Sequence, residues 1–281
     1  MKSRREMIIQ AIDWAFKEDL GDGDHSSLAC IPIKSKNKAH LIAKEIGVIA
    51  GVEIANIIFN EYGTFDFKKF FNDGQKINTG DIIFEVQGLS QEILACERLV
   101  LNVMQRMSGI STYTSHLNDL IEGTPSKLLD TRKTTPNFRV FEREAVRIGG
   151  GENHRFALYD MIILKDNHID YSGGVSVALE KTKAYLKSIN RDLKIEIEVR
   201  NFKELEEALH VGGFHRIMFD NFSPSATRDA IKMVNGKYET ESSGMITEET
   251  IRDYALTGVD YISVGALTHQ VKSLDLSLKA I

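Results

Sequence analysis

The clearest indication of the fold is the segment Leu128-Leu-Asp-Thr-Arg-Lys-Thr-Thr-Pro136, which resumes as Gly149-Gly-Gly-Glu-Asn-His-Arg155 and again as Met161-Ile-Ile-Leu-Lys-Asp-Asn-His168. The first and last parts open with short apolar runs, and cations follow each run closely. Runs of this length are typical of buried strands. The pattern therefore predicts strands whose ends carry positive charge.

Five cations lie just beyond these predicted strands or in the segment between them, and an unpaired charge beside buried chain is costly. They are Arg132, Lys133, His154, Arg155 and Lys165. We therefore expect them to form a binding site for a polyanion. The alternative is a set of solvated loops with surface ion pairs, as in most charged runs.

Three further arginines, Arg139, Arg143 and Arg147, lie on a candidate helix together with Glu142 and Glu144. Opposite charges three or four residues apart on a helix can pair on its surface. For this helix we therefore expect solvated ion pairs and no part in the anion site.

The composition is that of a globular protein, with 42% hydrophobic and 27% charged residues among 281. A net charge of −5 argues against a general binder of nucleic acid or anionic membranes, and it makes a local basic cluster more informative. The isolated Cys30 and Cys96 indicate neither a disulfide framework nor a cysteine zinc site. No apolar run approaches the roughly 20 residues of a membrane span. We expect a cytoplasmic protein.

The N-terminal part predicts an α+β domain with a largely antiparallel sheet. A helical face over Met7–Phe16 ends near Gly21, and the spacing within Asp22–Ser27 favours a tight turn over a calcium loop. Alternation over Lys38–Glu45 predicts a half-buried strand, and Val52–Phe59 is typical of a short helix. Further strands follow between Asn/Gly turn signals.

A long helix is expected to start at Ser90, a suitable N-cap, and to reach about Met107. Arg98, Asn102 and Gln105 share one polar face of this helix. A helix arginine in such a position is usually a solvated surface residue, so the helix alone assigns Arg98 no function.

From residue 127 onward the sequence alternates between strand, loop and helix. Asn201 and Ser223 are suitable N-caps, and Thr247 can cap the helix that Gly258 ends. Repeated βα units with helical crossovers imply a parallel sheet. The candidate strands end near Asp130, Lys165, Glu198, Asp220, Glu241 and Val264.

The predicted fold class is α/β, with a C-terminal α/β barrel of about six parallel strands and an N-terminal α+β sheet domain. We expect the barrel to be closed or nearly closed. The N-terminal domain is placed at residues 1–110 and the barrel at 111–281, with the boundary inside or just after the long helix. The last residues could pack back on the N-terminal domain.

In an α/β barrel the active site lies at the carboxyl ends of the strands. The candidates there are Arg132, Lys133, Lys165, Glu198 and Asp220. Alternation within Ile195–Val199 puts Glu196 and Glu198 on one face of a strand. Two carboxylates inside a barrel require cations, a metal or hydroxyl donors. The alternative is a solvent-exposed edge strand.

Two loops at the last strand ends are suited to phosphate. Ser242-Ser243-Gly244 precedes a helix start, and Gly265-Ala266-Leu267 follows an apolar strand. Small residues let backbone N–H groups approach an anion, and barrels often bind phosphate at the final two strand loops. Either loop alone would fit a plain turn, whereas the pair favours a phosphate site.

These motifs resemble the core motifs of the quinolinate phosphoribosyltransferases, also called carboxylating nicotinate-nucleotide pyrophosphorylases. The similarity rests on Asp130–Pro136, Gly149–Arg155 and Leu164–Ile169, and it extends from Glu18-Asp-Leu-Gly21 to Ser263-Val-Gly-Ala-Leu-Thr-His269. The resemblance implies transfer of phosphoribosyl from phosphoribosyl pyrophosphate to quinolinate with decarboxylation. The products would be nicotinate mononucleotide, pyrophosphate and CO2, in NAD biosynthesis. Mg²⁺ is implied as a cofactor bound with phosphoribosyl pyrophosphate, and no organic cofactor is implied.

On this resemblance, cations from two subunits of a homodimer bind the quinolinate carboxylates. Arg98 would come from the neighbouring subunit. The substrate ligands implied at the ends of the first strands are Thr131, Arg132, Lys133, His154, Arg155 and Lys165, with Lys133 directed toward the anionic sugar substrate.

The resemblance also implies a catalytic group consisting of Lys133, Lys165, Glu198 and Asp220. Glu198 and Asp220 would contact ribose hydroxyls or hold Mg²⁺, either directly or mainly through substrate and water. The residues implied at the 5′-phosphate are Ser243, Gly244, Met245, Gly265, Ala266 and Leu267.

The sequence departs from the family pattern in several places, among them Asn137, Ala157 and Met245. Asn137 stands where a glycine is common, and Met245 occupies a position that glycine often holds in the phosphate loop. If the second position requires a positive φ, methionine would be strained there.

Three alternatives stay open at this point. A related pyrophosphorylase could act on another aromatic acid. A barrel lyase could form a Schiff base on Lys165, although the number of arginines argues against it. A sensor could bind a phosphorylated metabolite, but Glu198 and Asp220 would not help it to bind an anion without metal.

Overall fold

The computed structural model describes residues 3–281 and divides the chain into two compact units. The first comprises the chain through Ser115, Lys133–Gly150 and Ala266–Ile281, and the second comprises His116–Arg132 and Gly151–Gly265. Both units are therefore discontinuous in sequence. The domain limits 1–110 and 111–281 stay a prediction.

The elements follow one another in a mixed order. The first nine are α1 (Arg4–Leu20), α2 (His25–Cys30), β1 (Lys36–Ala43), β2 (Gly47–Val48), α3 (Val52–Tyr62), β3 (Asp66–Lys69), β4 (Lys76–Ile77), β5 (Ile82–Leu89) and α4 (Ser90–Leu120). After α4 come β6 (Lys127–Leu129), α5 (Arg139–Ile148), β7 (Ile162–Leu164), α6 (Asp166–Ser172), α7 (Val175–Ser188), β8 (Ile195–Val199), α8 (Phe202–Val211), β9 (Arg216–Asp220), α9 (Pro224–Val234), β10 (Glu239–Ser243), α10 (Ile251–Ala255), β11 (Tyr261–Ser263), α11 (Ala266–His269) and β12 (Leu276–Ala280).

The first unit contains a four-stranded antiparallel sheet with the order β12-β1-β5-β3. Leu41 of β1 lies opposite Leu278 of β12 and Phe84 of β5. Ala39, Leu41 and Ala43 are all buried, because alternate side chains of β1 face the same side of the sheet. The predicted α+β character of this part is confirmed.

The prediction of a tight turn over Asp22–Ser27 is wrong. α2 begins at His25, because the carboxylate of Asp24 caps its first turn. The backbone N–H groups of Ser26 and Ser27 donate to Oδ1 of Asp24 at 3.1 and 3.2 Å. Aspartate at an N-cap satisfies donors that a short helix would otherwise leave exposed.

The predicted end of the long helix at Met107 is also wrong, since α4 continues to Leu120. Gly109 lies within the helix. A side-chain carbon at this glycine would collide with the backbone oxygen of Lys272. Glycine therefore permits the close approach of another segment and does not end the helix.

The second unit contains a six-stranded sheet with the order β6-β11-β10-β9-β8-β7, in which every pairing is parallel. The predicted α/β class with about six parallel strands is confirmed. β6 and β7 are the edge strands. Beside β6, Leu129 forms an isolated parallel bridge with Glu152, so a loop residue continues the pairing on that side.

The core of this sheet is apolar on the face covered by helices, as the parallel arrangement requires. Ile195, Ile197 and Val199 of β8 pack with Ile217 and Phe219 of β9. None of the helices in residues 3–281 combines the length and apolar character needed to cross a membrane.

The predicted N-caps of α8 and α9 are confirmed. Asn201 accepts the N–H of Glu204 at 3.0 Å, and Ser223 accepts that of Ala226 at 3.2 Å. The prediction that Thr247 caps α10 is wrong.

α10 begins at Ile251 with Thr250 as its N-cap. Thr247 belongs to the preceding turn, where its carbonyl accepts the N–H of Thr250 at 3.2 Å and of Ile251 at 2.9 Å.

Candidate active site

The parallel sheet brings most of the predicted site residues of the second unit to one edge, because the carboxyl ends of parallel strands lie together. The residues at or just beyond these ends are Thr131, Arg132, Lys165, Glu198, Asp220, Ser243, Gly244, Met245 and Gly265. Four other predicted residues, Arg98, Lys133, Ala266 and Leu267, belong to the first unit.

Asp130, which the sequence analysis did not assign to the site, fixes the loop that carries His154 and Arg155. Its side chain is fully buried directly after β6. Oδ1 accepts the backbone N–H of His154 at 2.8 Å, and Oδ2 accepts Nδ2 of Asn153 at 2.6 Å. The carboxylate thus ties this loop to the end of β6.

Two arginines meet at this end of the second unit. Arg155 is buried and its Nη1 donates to the carbonyl of Met161 at 3.0 Å, whereas Arg132 is exposed. Burial is the main cause that lowers the pKa of Arg155, and the positive charge of Arg132 is the second. Like charges held close together favour an anion beside them. The two guanidinium groups predicted for the anion site therefore lie at the same edge of the sheet.

Lys165 and two carboxylates form the next part of the site. Nζ of Lys165 lies 2.7 Å from Oε2 of Glu198, whose side chain is only 6% exposed. Burial is the main cause that raises the pKa of Asp220, and the negative charge of Glu198 is the second. The two carboxylates therefore repel each other at the ends of adjacent strands, and the attraction of Lys165, which is ion-paired with Glu198, offsets only part of the rise at Asp220.

The loop after β10 has the left-handed backbone that the sequence analysis considered. Gly244 has φ 97° and Met245 has φ 47°, with the Met245 side chain 88% exposed. A positive φ is costly for methionine, so the loop holds Met245 in a strained backbone. Asn137 likewise has φ 62°, which asparagine tolerates better.

A buried ionic cluster, formed by His154, Glu196, Glu241 and Arg216, lies within the second unit. Nε2 of His154 is 3.0 Å from Glu196 and 3.3 Å from Glu241, and Nη1 of Arg216 donates to Glu241 at 3.0 Å. The ligand atoms of the histidine and the two glutamates lie within 4.8 Å of one another, close enough to share a cation. Arg216 already supplies positive charge there, so the cluster is neutralised by side chains.

The buried ionic cluster sets the protonation of its members. Burial opposes the charged form of His154, but hydrogen bonding to Glu196 and Glu241 outweighs it and raises its pKa to about 9. Burial is the main cause that raises the pKa of Glu196, and the negative charge of Glu241 is the second. Nδ1 of His154 also accepts the N–H of Arg155 at 2.6 Å. If His154 also carried a proton at Nδ1, that nitrogen could no longer accept the hydrogen bond from the N–H of Arg155.

The edge-strand alternative for Glu196 and Glu198 is wrong. β8 lies between β7 and β9, and all five of its residues are buried. Alternation along β8 correctly placed the two glutamates on one face but gave no indication of the partners of Glu196. His154 and Arg216 come from other segments, which periodicity within one strand cannot show.

A second polar network lies within the first unit and is centred on Glu142 of α5. This buried carboxylate accepts Nε of Arg106 at 2.9 Å, and the backbone N–H of Thr135 at 3.0 Å. Arg106 also donates to the carbonyl of Thr268. The hydroxyl of Thr268 donates in turn to the carbonyl of Lys133 at 2.8 Å. The network therefore fixes the backbone around Lys133.

The prediction of solvated ion pairs on α5 is wrong for Glu142 and Arg143, which are buried. Arg147 forms the expected surface pair, with Glu144 at 2.7 Å. Arg139 is half-buried and its Nε donates to Thr134 at 3.0 Å. The helix is less solvated than expected because it packs against α1 and α11.

Arg98 and Asn102 of α4 are exposed. Within residues 3–281, Arg98 forms no hydrogen bond or ion pair. Gln105, expected to share a free face with them, instead donates to the carbonyl of Leu276 in β12 at 2.9 Å. The free polar face is therefore shorter than predicted.

Two family models together match nearly the whole chain. The N-terminal domain of quinolinate phosphoribosyl transferase matches residues 24–108, and its C-terminal domain matches residues 110–279. The chain belongs to this family. The resemblance noted in the sequence is therefore confirmed for quinolinate phosphoribosyltransferases.

Relatives and solved structures of the family agree with this assignment. Quinolinate phosphoribosyltransferase (decarboxylating) 1b of Nicotiana tabacum is 43% identical, over 95% of this chain and 81% of its own. A probable nicotinate-nucleotide pyrophosphorylase (carboxylating) of Bacillus subtilis is 40% identical, over 94% of this chain and 90% of its own. The structure of the nicotinate-nucleotide pyrophosphorylase from Francisella tularensis superposes with a TM-score of 0.91 at 35% identity, covering 100% of this chain and 98% of the other.

Proposed function

We propose that the strand-end residues of the second unit bind the two anionic substrates of a quinolinate phosphoribosyltransferase. The enzyme transfers phosphoribosyl from phosphoribosyl pyrophosphate to quinolinate and releases CO2, giving nicotinate mononucleotide and pyrophosphate. The observation that carries the assignment to this edge is the close placement of Arg132 and Arg155. Two guanidinium groups at one edge are suited to a carboxylate or phosphate, because each can bind such a group through two parallel N–H bonds.

Arg132, Arg155 and Lys165 are proposed to hold the quinolinate carboxylates. Arginine can bind a carboxylate through two parallel N–H bonds, while lysine acts more as a point charge. His154 is proposed to act from behind this layer, because its two ring nitrogens face Glu196, Glu241 and the backbone of Arg155. The roles of Lys133, Ala266 and Leu267, in the first unit, stay predictions from the resemblance.

Glu198 and Asp220 are proposed to face the ribose. The quinolinate nitrogen forms a bond to the anomeric carbon as the bond from that carbon to pyrophosphate breaks, and positive charge develops on the ribose. A carboxylate fixed nearby stabilises that charge. Lys165 holds Glu198 in place through their 2.7 Å contact.

The same two carboxylates suit a divalent cation. Burial and the charge of Glu198 raise the pKa of Asp220, so the ionised pair lacks sufficient neutralisation by the protein alone. Carboxylate oxygens are the ligands that Mg²⁺ prefers. Mg²⁺ bound at Glu198 and Asp220, directly or mainly through substrate and water, would neutralise the pyrophosphate leaving group.

Ser243, Gly244 and Met245 are proposed to bind the 5′-phosphate together with Gly265, which closely follows β11. The positive φ angles of Gly244 and Met245 mark a turn in the backbone, and N–H groups in such turns can bind an anion. Met245 contributes only its N–H group, because its side chain is exposed.

Decarboxylation requires no nucleophile of the protein. Once the pyridine nitrogen carries the ribose, its positive charge stabilises the electron pair left at C2 as the bond to the carboxylate breaks. A proton then takes the place of CO2 at C2. A Schiff base on Lys165 would instead require a free amine, whereas Lys165 is ion-paired with Glu198.

We also propose a homodimer in which Arg98 completes the site of the neighbouring subunit. The exposed Arg98, which forms no hydrogen bond or ion pair within residues 3–281, supports this assignment. A cytoplasmic location is proposed because Cys30 is a free, exposed thiol, which suits a reducing compartment. Sedimentation and cell fractionation would test these two proposals.

The function is tested with purified protein, quinolinate, phosphoribosyl pyrophosphate and Mg²⁺, by measuring nicotinate mononucleotide and CO2 in the same reaction. The two products should form in equal amounts, and none should form without quinolinate. Borohydride treatment should trap no carbonyl compound on Lys165. Trapping there, or product from a different aromatic acid at a higher kcat/KM, would contradict the proposal.

A further inference from the structure

Asn221 follows Asp220 at the end of β9 and connects two parts of the site. Its backbone has φ 56°, and its N–H donates to the carbonyl of Ser243 at 2.9 Å. Its side-chain Nδ2 donates to Oδ2 of Asp220 at 2.9 Å. One residue therefore bonds both to the carboxylate pair and to the start of the loop after β10.

The other side-chain atom of Asn221 lies against the phosphate loop. A side-chain carbon at Gly244 would collide with Oδ1 of Asn221. Gly244 is thus required twice, by its φ of 97° and by the space that the Asn221 amide occupies. The amide of Asn221 therefore lies directly against the backbone of Gly244 and leaves no room for a side chain there.

Glycine would adopt the backbone of Asn221 with less strain than asparagine. What glycine would lack is the amide that contacts Asp220 and Gly244. The contacts of the amide, and not its backbone conformation, therefore distinguish Asn221 from a glycine at this turn.

We propose that Asn221 is a positioning residue for phosphoribosyl pyrophosphate, which fixes the orientation of Asp220 relative to the loop Ser243–Met245. This inference rests on the proposed function, in which Asp220 faces the ribose and the loop binds the 5′-phosphate. The two groups bind opposite parts of one substrate, and their spacing must match that of the sugar phosphate. Asn221 sets this spacing through three contacts.

The test compares Asn221→Gly with Asn235→Gly as the matched control. Asn235 ends α9 with φ 49°, and its backbone N–H bonds to Ile231 at 3.0 Å, as expected of a cap. Both substitutions relieve a left-handed asparagine, but only Asn221→Gly removes an amide from the site. Kinetic constants for both substrates and urea unfolding are measured for each variant.

Asn221→Gly should raise the KM for phosphoribosyl pyrophosphate about 10-fold to 100-fold, the range for losing one hydrogen bond to a charged group. The KM for quinolinate should change by less than about 2-fold. The urea concentration at the unfolding midpoint should change little, and both results should match those for Asn235→Gly. A third variant, Asn221→Asp, keeps the shape but adds negative charge beside Asp220. It should raise the KM for phosphoribosyl pyrophosphate at least as much.

An equal rise in both KM values, or no rise in Asn221→Gly, would overturn the proposal. If the wild-type protein forms no nicotinate mononucleotide, the proposed function fails, and calorimetry with phosphoribosyl pyrophosphate then tests Asn221 separately. Weaker binding by Asn221→Gly than by Asn235→Gly would still support the positioning role. Equal binding, or none by the wild-type protein, would end it.

Discussion

The buried ionic cluster allows a quantitative prediction for Arg216→Met. The Arg216 side chain is 10% exposed and donates to Glu241 through Nη1 at 3.0 Å, and to Glu239 through Nε and Nη2 at 3.1 and 3.0 Å. Its guanidinium carbon also lies 4.0 Å from the centre of the Tyr261 ring. Methionine retains much of the side-chain length but removes the charge and every donor.

The expected loss of stability follows from the exposure of each partner. Removing one member of a buried ion pair costs about 3–5 kcal/mol, and Glu241 has a fully buried carboxylate. His154 still faces Glu241 at 3.3 Å after the substitution, which favours the lower end. Glu239 is 40% exposed, so its pairing contributes at most about 1 kcal/mol. We expect Arg216→Met to lower the free energy of unfolding by about 3–4 kcal/mol.

Urea unfolding followed by far-ultraviolet circular dichroism measures this loss by linear extrapolation. Glu239→Gln is the matched control, because it removes only the exposed partner, and it should cost at most about 1 kcal/mol. Glu241→Gln combined with Arg216→Met should cost less than the sum of the single substitutions, since no buried carboxylate is then left unpaired. A loss for Arg216→Met no larger than that for Glu239→Gln would refute the reasoning.

Four further outcomes are expected from the site. Quinolinate should have a much higher kcat/KM than nicotinate, because a missing carboxylate leaves cations unpaired; comparable values would contradict the anion site. Lys165→Ala should lose about 10-fold to 100-fold in kcat/KM while staying folded, the cost of one charge-assisted contact; near-normal turnover would make Lys165 a surface cation. Asp220→Asn should raise the Mg²⁺ concentration for half-maximal rate without weakening quinolinate binding in calorimetry, whereas Asp170→Asn, at an exposed pair, should change neither. Mixing the impaired Arg98→Ala and Lys165→Ala proteins should raise activity above that of either alone to roughly a quarter of the wild-type value, since half the dimers are mixed and one of their two sites is intact; no recovery after exchange verified by mass spectrometry would assign Arg98 to its own subunit.

The parts of the fold that the sequence predicted depend on local patterns. The predicted strand ends near Lys165, Glu198 and Asp220 lie within one residue of those found, at Leu164, Val199 and Asp220. In the sequence, a buried parallel strand is recognised as an apolar run, and the first charged residue after the run marks its end. Charges at strand ends could therefore be read from sequence, while their contacts with substrates stay predictions.

The errors concern residues whose partners lie far away in the chain. Helical spacing suggested that Glu142 was on a surface, but it could not show that Arg106, 36 residues earlier, would reach it. Gly109 gave no sign that Lys272 would pack against it. Such contacts depend on tertiary packing, which overrides local preference.

Asp130 and Asn221, whose side chains hold neighbouring segments in place, were not predicted for a different reason. Asp130 and Asn221 contact other chain segments with short side chains, and neither carries a cation that would have drawn attention to it. The available signal was a polar residue directly after a buried strand, which is a suitable position for a side chain that ties loops together.

The pairing of β12 with β1 has a consequence for synthesis of the chain. At roughly 5–20 residues per second, β12 is made about 10–50 s after β1. Until then β1 has a partner only on the side of β5, and its other edge presents free N–H and C=O groups. Open edges pair readily with other chains. The nascent protein should therefore be most prone to aggregation, and most dependent on chaperones, during this interval.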